Sequence, residues 1–155
     1  MRVPNGIFTL FRGDEWRTFK IRSQKADARF KPGERILYAL CGPRNMDDYR
    51  GIGTIDERGL VIWFKWRGTP TAAFAQMFWE RMAEDKHLEW SVEEARTCLV
   101  CNRLLTTPAS VLSGIGPECA DRGAPPKANA VAVLLARKAR LEARLVECQA
   151  PGLPW

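Results

Sequence analysis

Hydrophobic and polar residues alternate along the first 67 residues in the pattern of short β-strands separated by turns. In the second predicted strand, Phe19 and Ile21 share one face because neighbouring side chains point to opposite sides. Thr18, Lys20 and Arg22 share the other face, which predicts a polar, basic surface. The segment 60–66 is apolar on both faces, which favours a central place in the sheet. The predicted strands are 7–11, 16–23, 35–41, 51–55 and 60–66.

A helical period replaces the alternation after residue 70. Apolar residues recur at helical spacing within 71–87, with Thr71 as the expected cap, and this helix should pack on the sheet. Ser91 and Glu94 form a capping-box pattern that predicts a second short helix over 91–95. A longer apolar stripe over 128–149 predicts an amphipathic helix near the C-terminus.

These patterns predict an α+β fold: a small antiparallel sheet of about five strands, a packed helix, a zinc-ribbon-like knuckle and a long C-terminal helix. The expected parts are a β-rich domain with its helix at 1–97, a cysteine segment at 98–123, and the C-terminal helix and tail at 127–155. A chain of 155 residues that is 46% hydrophobic should form a globular core. Its apolar runs are shorter than a membrane span or a signal peptide requires, so we expect a cytoplasmic protein.

The cysteine segment reads CLVCNRLLTTPASVLSGIGPEC, and it carries Cys98, Cys101 and Cys119. A Cys-x-x-Cys pair lets one tight turn present two thiolates to a tetrahedral ion, and a third cysteine after 17 residues has the spacing of a second zinc knuckle. The competing interpretation is that these cysteines are small buried apolar residues. Cys41 lies in a predicted strand, and we expect it in the core.

Structural zinc normally takes four ligands, and the motif provides three. His87, the chain's single histidine, lies 11 residues before Cys98 and is the leading candidate for the fourth position. Cys148 and Asp121 are the alternatives. A site with three protein ligands and water would instead be of the catalytic type.

The basic residues are concentrated in the first half, where residues 1–67 hold 14 Lys and Arg against 8 Asp and Glu. The predicted nucleic-acid-binding residues are Trp16, Arg17, Lys20, Arg22, Lys25, Arg29 and Lys31. Cations can hold phosphates while an aromatic ring stacks on a base, which is how single strands are commonly bound. The competing interpretation is that these charges only cover the solvent face of the sheet.

The cysteine segment resembles a small domain found in phage-encoded and some bacterial proteins, with the pattern C-x-x-C…L-T-x-P-x-S…G-x-G-P-x-C-A. The matching positions are Cys98, Cys101, Leu105, Thr106, Pro108, Ser110, Gly114, Gly116, Pro117, Cys119 and Ala120. The phrase GPRNMDDYRGIG and the closing GLPW also resemble segments of such proteins. The resemblance implies a phage-like context, and the family has no defined activity.

The glycine pairs at 51–53 and 114–116 lack the third glycine of a dinucleotide-binding motif, and neither a Walker lysine nor a set of catalytic side chains stands out. We therefore expect a non-enzymatic accessory protein with a structural zinc that binds nucleic acid or a nucleoprotein complex. The alternative is a protein-binding inhibitor or modulator of a host machine, such as a defence complex, RNA polymerase or ribosome.

Overall fold

An antiparallel sheet of six strands is the main element of residues 3–123, the part of the chain that this computed structural model describes. The strands are β1 (Gly6–Arg12), β2 (Glu15–Ser23), β3 (Arg35–Leu40), β4 (Tyr49–Asp56), β5 (Gly59–Ile62) and β6 (Ser91–Glu94). They lie in the order β5-β4-β3-β2-β1-β6. The antiparallel meander predicted from the alternation is thus confirmed for β1 to β5, and β6 is added beside β1. The predicted C-terminal helix and tail, 127–155, lie outside the described residues.

Helix α1 (Pro70–Glu84) covers one face of this sheet. Thr69 caps its N-terminus, because the Thr69 hydroxyl accepts a hydrogen bond from the amide of Ala72 at 3.2 Å. The cap therefore lies two residues before the predicted Thr71. Proline suits the first helical position because its missing N–H has no partner there. The helix ends where Asp85 adopts a left-handed conformation with φ of 52°. None of the described helices has the length and apolar character that a membrane span requires.

The apolar core lies between α1 and the first face of the sheet, which we define as the face that carries Phe8 and Phe19. Phe78 of α1 is completely buried and stacks on Phe19 with ring centroids 4.9 Å apart. Leu10 and Leu37 are also completely buried beside them. Burial of each such side chain contributes about 1.5–3 kcal/mol, so the packing of α1 on the sheet supplies much of the driving force for folding.

The segment 91–95 does not form the predicted helix. It contains β6, which pairs with β1 so that Val92 lies opposite Leu10 and packs against the core. The amide of Ala95 continues this edge by donating to the carbonyl of Ile7 at 2.7 Å. A short helix forms few hydrogen bonds, whereas β6 pairs backbone groups that β1 would otherwise present at an open edge. The tertiary pairing therefore outweighs the local capping signal.

Two further predictions about the strands are wrong. The segment 60–66 is not a central strand, since β5 ends at Ile62 and occupies the edge of the sheet. The chain then turns through a 3₁₀ helix, Phe64–Trp66, where the indole of Trp66 donates to the carbonyl of Gly51 at 2.9 Å. Cys41 is not in the core either, because β3 ends at Leu40 and Cys41 is exposed.

The cysteine segment docks on the second face of the sheet, which carries Thr9 and Thr18. These two threonines are cross-strand partners on β1 and β2, and both are buried. Their hydroxyls donate to the carbonyl oxygen of Thr106 at 2.9 and 3.4 Å. A buried carbonyl without a partner is costly, so these bonds specify where the segment attaches.

We expect the combined change Thr9→Val and Thr18→Val to lower the free energy of unfolding by about 1–3 kcal/mol, because the Thr106 carbonyl would lose both hydroxyl donors. Urea denaturation measures this. Thr54→Val is the matched control, since Thr54 lies on β4 and is only half-buried, and a change within about 0.5 kcal/mol is expected there. Equal stabilities for the double variant and the wild type would contradict the role given to this junction.

Candidate metal centre

The Cys-x-x-Cys pair lies at the turn of a small hairpin. The hairpin is formed by β7 (Arg96–Thr97) and β8 (Leu104–Leu105). The amide of Cys98 donates to the carbonyl of Arg103 at 2.7 Å, and the amide of Asn102 donates to the carbonyl of Cys98 at 2.9 Å. Asn102 has φ of 62°, a left-handed conformation that asparagine tolerates better than most residues. This tight turn places Cys98 and Cys101 on one side.

The third cysteine comes from the second half of the segment, which contains α2 (Pro108–Ser113) and α3 (Pro117–Asp121). Gly114 ends α2 with φ of 76°, a conformation that glycine adopts without steric cost. The amide of Gly116 then donates to the sulfur of Cys98 at 3.4 Å, which joins the two halves directly. Cys119 follows in the first turn of α3.

The sulfur atoms of Cys98, Cys101 and Cys119 all lie within 4.8 Å of one another. Four sulfurs around a zinc ion at about 2.3 Å are separated by about 3.8 Å, so the observed spacing suits ligands of a single ion. Cys98 and Cys119 are buried, and Cys101 is exposed. The three cysteines predicted from the motif are therefore brought together in an arrangement that can bind a metal ion.

Hydrogen bonds and charge distinguish the thiols. Burial, the largest influence on Cys98, raises its pKa, but hydrogen bonds from the amides of Gly116, Cys101 and Val100 outweigh burial and lower the pKa to about 6. The pKa of Cys119 is raised to about 11, first by its hydrogen bond with Cys101, and then by burial and the nearby Cys98. Negative charge thus concentrates on Cys98, and a cation between the sulfurs would favour deprotonation of the others.

The other ligand candidates are not part of the described cysteine cluster. The Nε2 atom of His87 lies 2.7 Å from Oε2 of Glu80, a carboxylate that also accepts a hydrogen bond from Gln76 at 2.9 Å. The hydrogen bonds from Gln76 and His87 lower the pKa of Glu80. Asp121 is exposed at the end of α3 and is not one of the clustered residues. Cys148 lies outside the described residues.

The predicted basic residues are divided between the two faces of the sheet. Arg17 packs its guanidinium over the ring of Phe74 at 4.6 Å, so it belongs to the helix side and not to a continuous stripe with Lys20. Lys31 forms an ion pair with Glu34 at 3.3 Å in the loop after β2. The predicted basic residues therefore do not form one continuous face, because alternation along β2 places Arg17 on the opposite face from its even-numbered neighbours.

The remaining predicted residues lie on the second face or in the adjoining loop. The amine of Lys20 lies 4.2 Å from the ring centre of Tyr49, and its pKa is lowered by burial first and by Arg22 next. Arg22, Lys25 and Arg29 are exposed. Trp16 is 41% exposed and lines a cavity of about 310 Å³ between the sheet and the cysteine segment.

Sequence reasoning missed Trp63, Tyr38 and Tyr49 on this second face. Trp63 lies over Gly51, where an added Cβ would be 3.0 Å from the indole ring. Trp63 also meets the ring of Phe30 edge-on, with centroids 5.5 Å apart. Tyr38 is the cross-strand partner of Lys20. Alternation along β3 could have indicated that the even-numbered Tyr38 lies on this face. Only the strand register shows which residue of β2 lies opposite it.

Comparison with known proteins gives one family match, and this match covers the cysteine segment and little of the six-stranded sheet. A family model described as "Family of unknown function (DUF6011)" matches residues 91–122. This span contains β6 and all three clustered cysteines, and it is less than half of the chain. No curated protein matches the chain. No solved structure matches it.

We expect Cys101→Ser to release the bound metal, because two remaining thiolates hold an ion much less tightly than three. Elemental analysis of protein purified under reducing conditions, without chelator, measures metal per chain. Hydrogen exchange should show lost protection in residues 98–121, while the sheet keeps its own core. Cys41→Ser is the matched control, since Cys41 is exposed and lies outside the cluster. A wild-type protein with far less than one metal ion per chain would contradict the assignment.

Proposed function

We propose that this protein binds single-stranded nucleic acid, alone or within a nucleoprotein complex, on the second face of its sheet. The observation that carries the proposal is the group of aromatic and basic side chains on the face that α1 leaves uncovered. In this proposal the protein is a non-enzymatic accessory protein of the phage type, and a zinc ion in the cysteine cluster has a structural role.

Aromatic rings at one end of the second face are available for stacking. Phe30 is 55% exposed, and its edge-on contact with Trp63 restrains the orientation of both rings. The side chain of Gln24 donates to the carbonyl of Phe30 at 3.4 Å, which helps to hold the loop. Stacking on an aromatic ring contributes about 1–3 kcal/mol per base and tolerates any sequence.

Positive charges lie on the same face and in the loop that carries Phe30. Arg22 is exposed, and its cross-strand partner Ile36 lies close to Gly51 beneath Trp63. Lys25 and Arg29 are exposed in the loop that carries Phe30. Lys20 contributes less to phosphate binding, because its amine is already engaged with the rings of two tyrosines. The formal net charge of +6 also favours an anionic partner.

Zinc fits the donor set and the local architecture. Three thiolates are soft ligands, and structural zinc sites in small hairpin-and-turn segments use mainly cysteine. The bound ion would tie the hairpin β7–β8 to α3, and Thr106 would then transmit this order to the sheet through its hydrogen bonds. The metal would therefore stabilise the wall of the cavity beside Trp16.

We expect the combined change of Arg22, Lys25 and Arg29 to Gln to weaken binding of a labelled oligothymidine and to lower the log–log salt slope by about 2. Each phosphate contact contributes about 0.7 to this slope for a single strand. Fluorescence anisotropy over a series of salt concentrations measures both quantities. The control variant changes Arg12, Arg58 and Lys86 to Gln, which removes the same charge on the helix side of the sheet. There Arg12 lies over the ring of Trp90, Arg58 lines a cavity beside α1, and Lys86 pairs with Glu84. Equal effects of the two variants, or no binding by the wild type, would contradict the proposal.

We expect Phe30→Ala to raise the Kd for the same oligothymidine roughly 5- to 150-fold at every salt concentration, since one stacked base contributes about 1–3 kcal/mol. The salt slope should not change, because no cation is removed. Phe64→Ala is the matched control, since Phe64 is 85% exposed in the 3₁₀ turn. Unchanged affinity of the Phe30 variant would show that bases do not stack at this position.

The exposed apolar residues favour a second candidate function, binding to a protein of a host machine. Phe64, Leu88 and Met46 are 85%, 72% and 69% exposed. Aromatic residues and methionine are enriched in protein interfaces, so Phe64 and Met46 are the residues that favour this candidate. Loss of partner binding in Phe64→Ala, together with an absence of nucleic-acid binding by the wild type, would support this candidate.

A further inference from the structure

The cysteine cluster provides three ligands in the described part of the chain, whereas a tetrahedral ion has four positions. The Nε2 atom of His87 lies 2.7 Å from Oε2 of Glu80, and Asp121 is not one of the clustered residues. The fourth donor must therefore be a group that can reach the remaining coordination position of the metal. This question rests on the metal site proposed above.

A cavity of about 620 Å³ adjoins all three cysteines. Pro43, Asn45 and Met46 also line it, and Asn45 donates to the carbonyl of Leu104, another lining residue, at 3.3 Å. Arg103 and Glu118, also lining residues, form an ion pair at 2.9 Å. The volume lies within the range of about 300–1,000 Å³ that small-molecule sites have.

The walls of this cavity suit a small molecule with an apolar body and a polar end. Pro43, Met46 and Pro117 provide apolar surface, while Thr106 and Ser110 provide hydroxyl groups. Three thiolate ligands select a metal ion that prefers soft donors, and such an ion also favours a soft fourth ligand. Among small molecules, a thiol combines such a donor with a carbon body.

We infer that the fourth coordination position of the metal opens into this cavity and takes the thiolate of a small thiol from solution. On binding, the S–H proton of the thiol goes to solvent and a metal–sulfur bond replaces a bound water molecule, without any change of oxidation state. The centre therefore combines a structural role of its three cysteines with one exchangeable position.

Cobalt substitution tests this inference, because Co²⁺ bound to thiolates absorbs in the visible and near-ultraviolet, and its charge-transfer intensity reports the number of sulfurs. Full-length protein is loaded with Co²⁺ in anaerobic, thiol-free buffer and titrated with 2-mercaptoethanol. We expect the spectrum of three thiolates at the start, and a saturable change to four as one thiol binds per chain. Cys148→Ser should respond in the same way.

A second variant tests the role of the cavity. Thr107 lines it, and its side chain makes no capping hydrogen bond at the start of α2, so Thr107→Phe narrows the cavity without removing such a bond. We expect this variant to retain the spectrum of three thiolates but to bind 2-mercaptoethanol severalfold more weakly.

Three results would contradict these expectations, and each has a different meaning. A spectrum of four thiolates before any thiol is added, and lost in Cys148→Ser, would overturn the inference and assign Cys148 as the fourth ligand. A spectrum of three thiolates that does not change with 2-mercaptoethanol would also overturn it. An absence of any cobalt–thiolate absorption would instead refute the metal site itself.

Discussion

A buried polar contact anchors the cysteine segment to the sheet: the carbonyl of Thr106 accepts hydrogen bonds from the hydroxyls of Thr9 and Thr18. All three residues are almost completely shielded from solvent. Because apolar packing has little directional preference, it would let the segment slide over the sheet, whereas these hydrogen bonds are satisfied in one position. Thr106 also lines both the cavity beside the cysteines and the cavity beside Trp16.

The same sheet serves two purposes because its faces differ. The first face buries Phe8, Phe19 and Leu37 under α1, and the resulting core is sufficient to hold the strands in register. The second face is therefore free to carry side chains that core packing would not select. Lys20 beside two tyrosine rings and the Phe30–Trp63 pair are such side chains. Our proposed nucleic-acid surface combines the Phe30–Trp63 pair with Arg22, Lys25 and Arg29.

The cysteine segment contains only short elements, namely two-residue strands and helices of five and six residues. Such elements are not stable by themselves, since a short helix or an isolated hairpin forms too few contacts to offset its loss of conformational entropy. Its small buried cluster includes two of the cysteines, Cys98 and Cys119, beside Leu105 and Val111. A metal ion between the sulfurs would add cross-links to this cluster, and in our inference its remaining coordination position binds a small thiol.

The sequence alone determined the meander β1 to β5, the helix beneath it and the grouping of Cys98, Cys101 and Cys119, because alternation, helical period and Cys-x-x-Cys spacing are local signals. Three features required the tertiary structure: β6 in place of a helix, β5 at the sheet edge, and the packing of the Arg17 guanidinium over Phe74 of α1. Each depends on a partner far away in the chain, such as β1 for β6. Local patterns specify what a segment can form, and only the pairing of distant segments decides which of its groups are buried and which face each other.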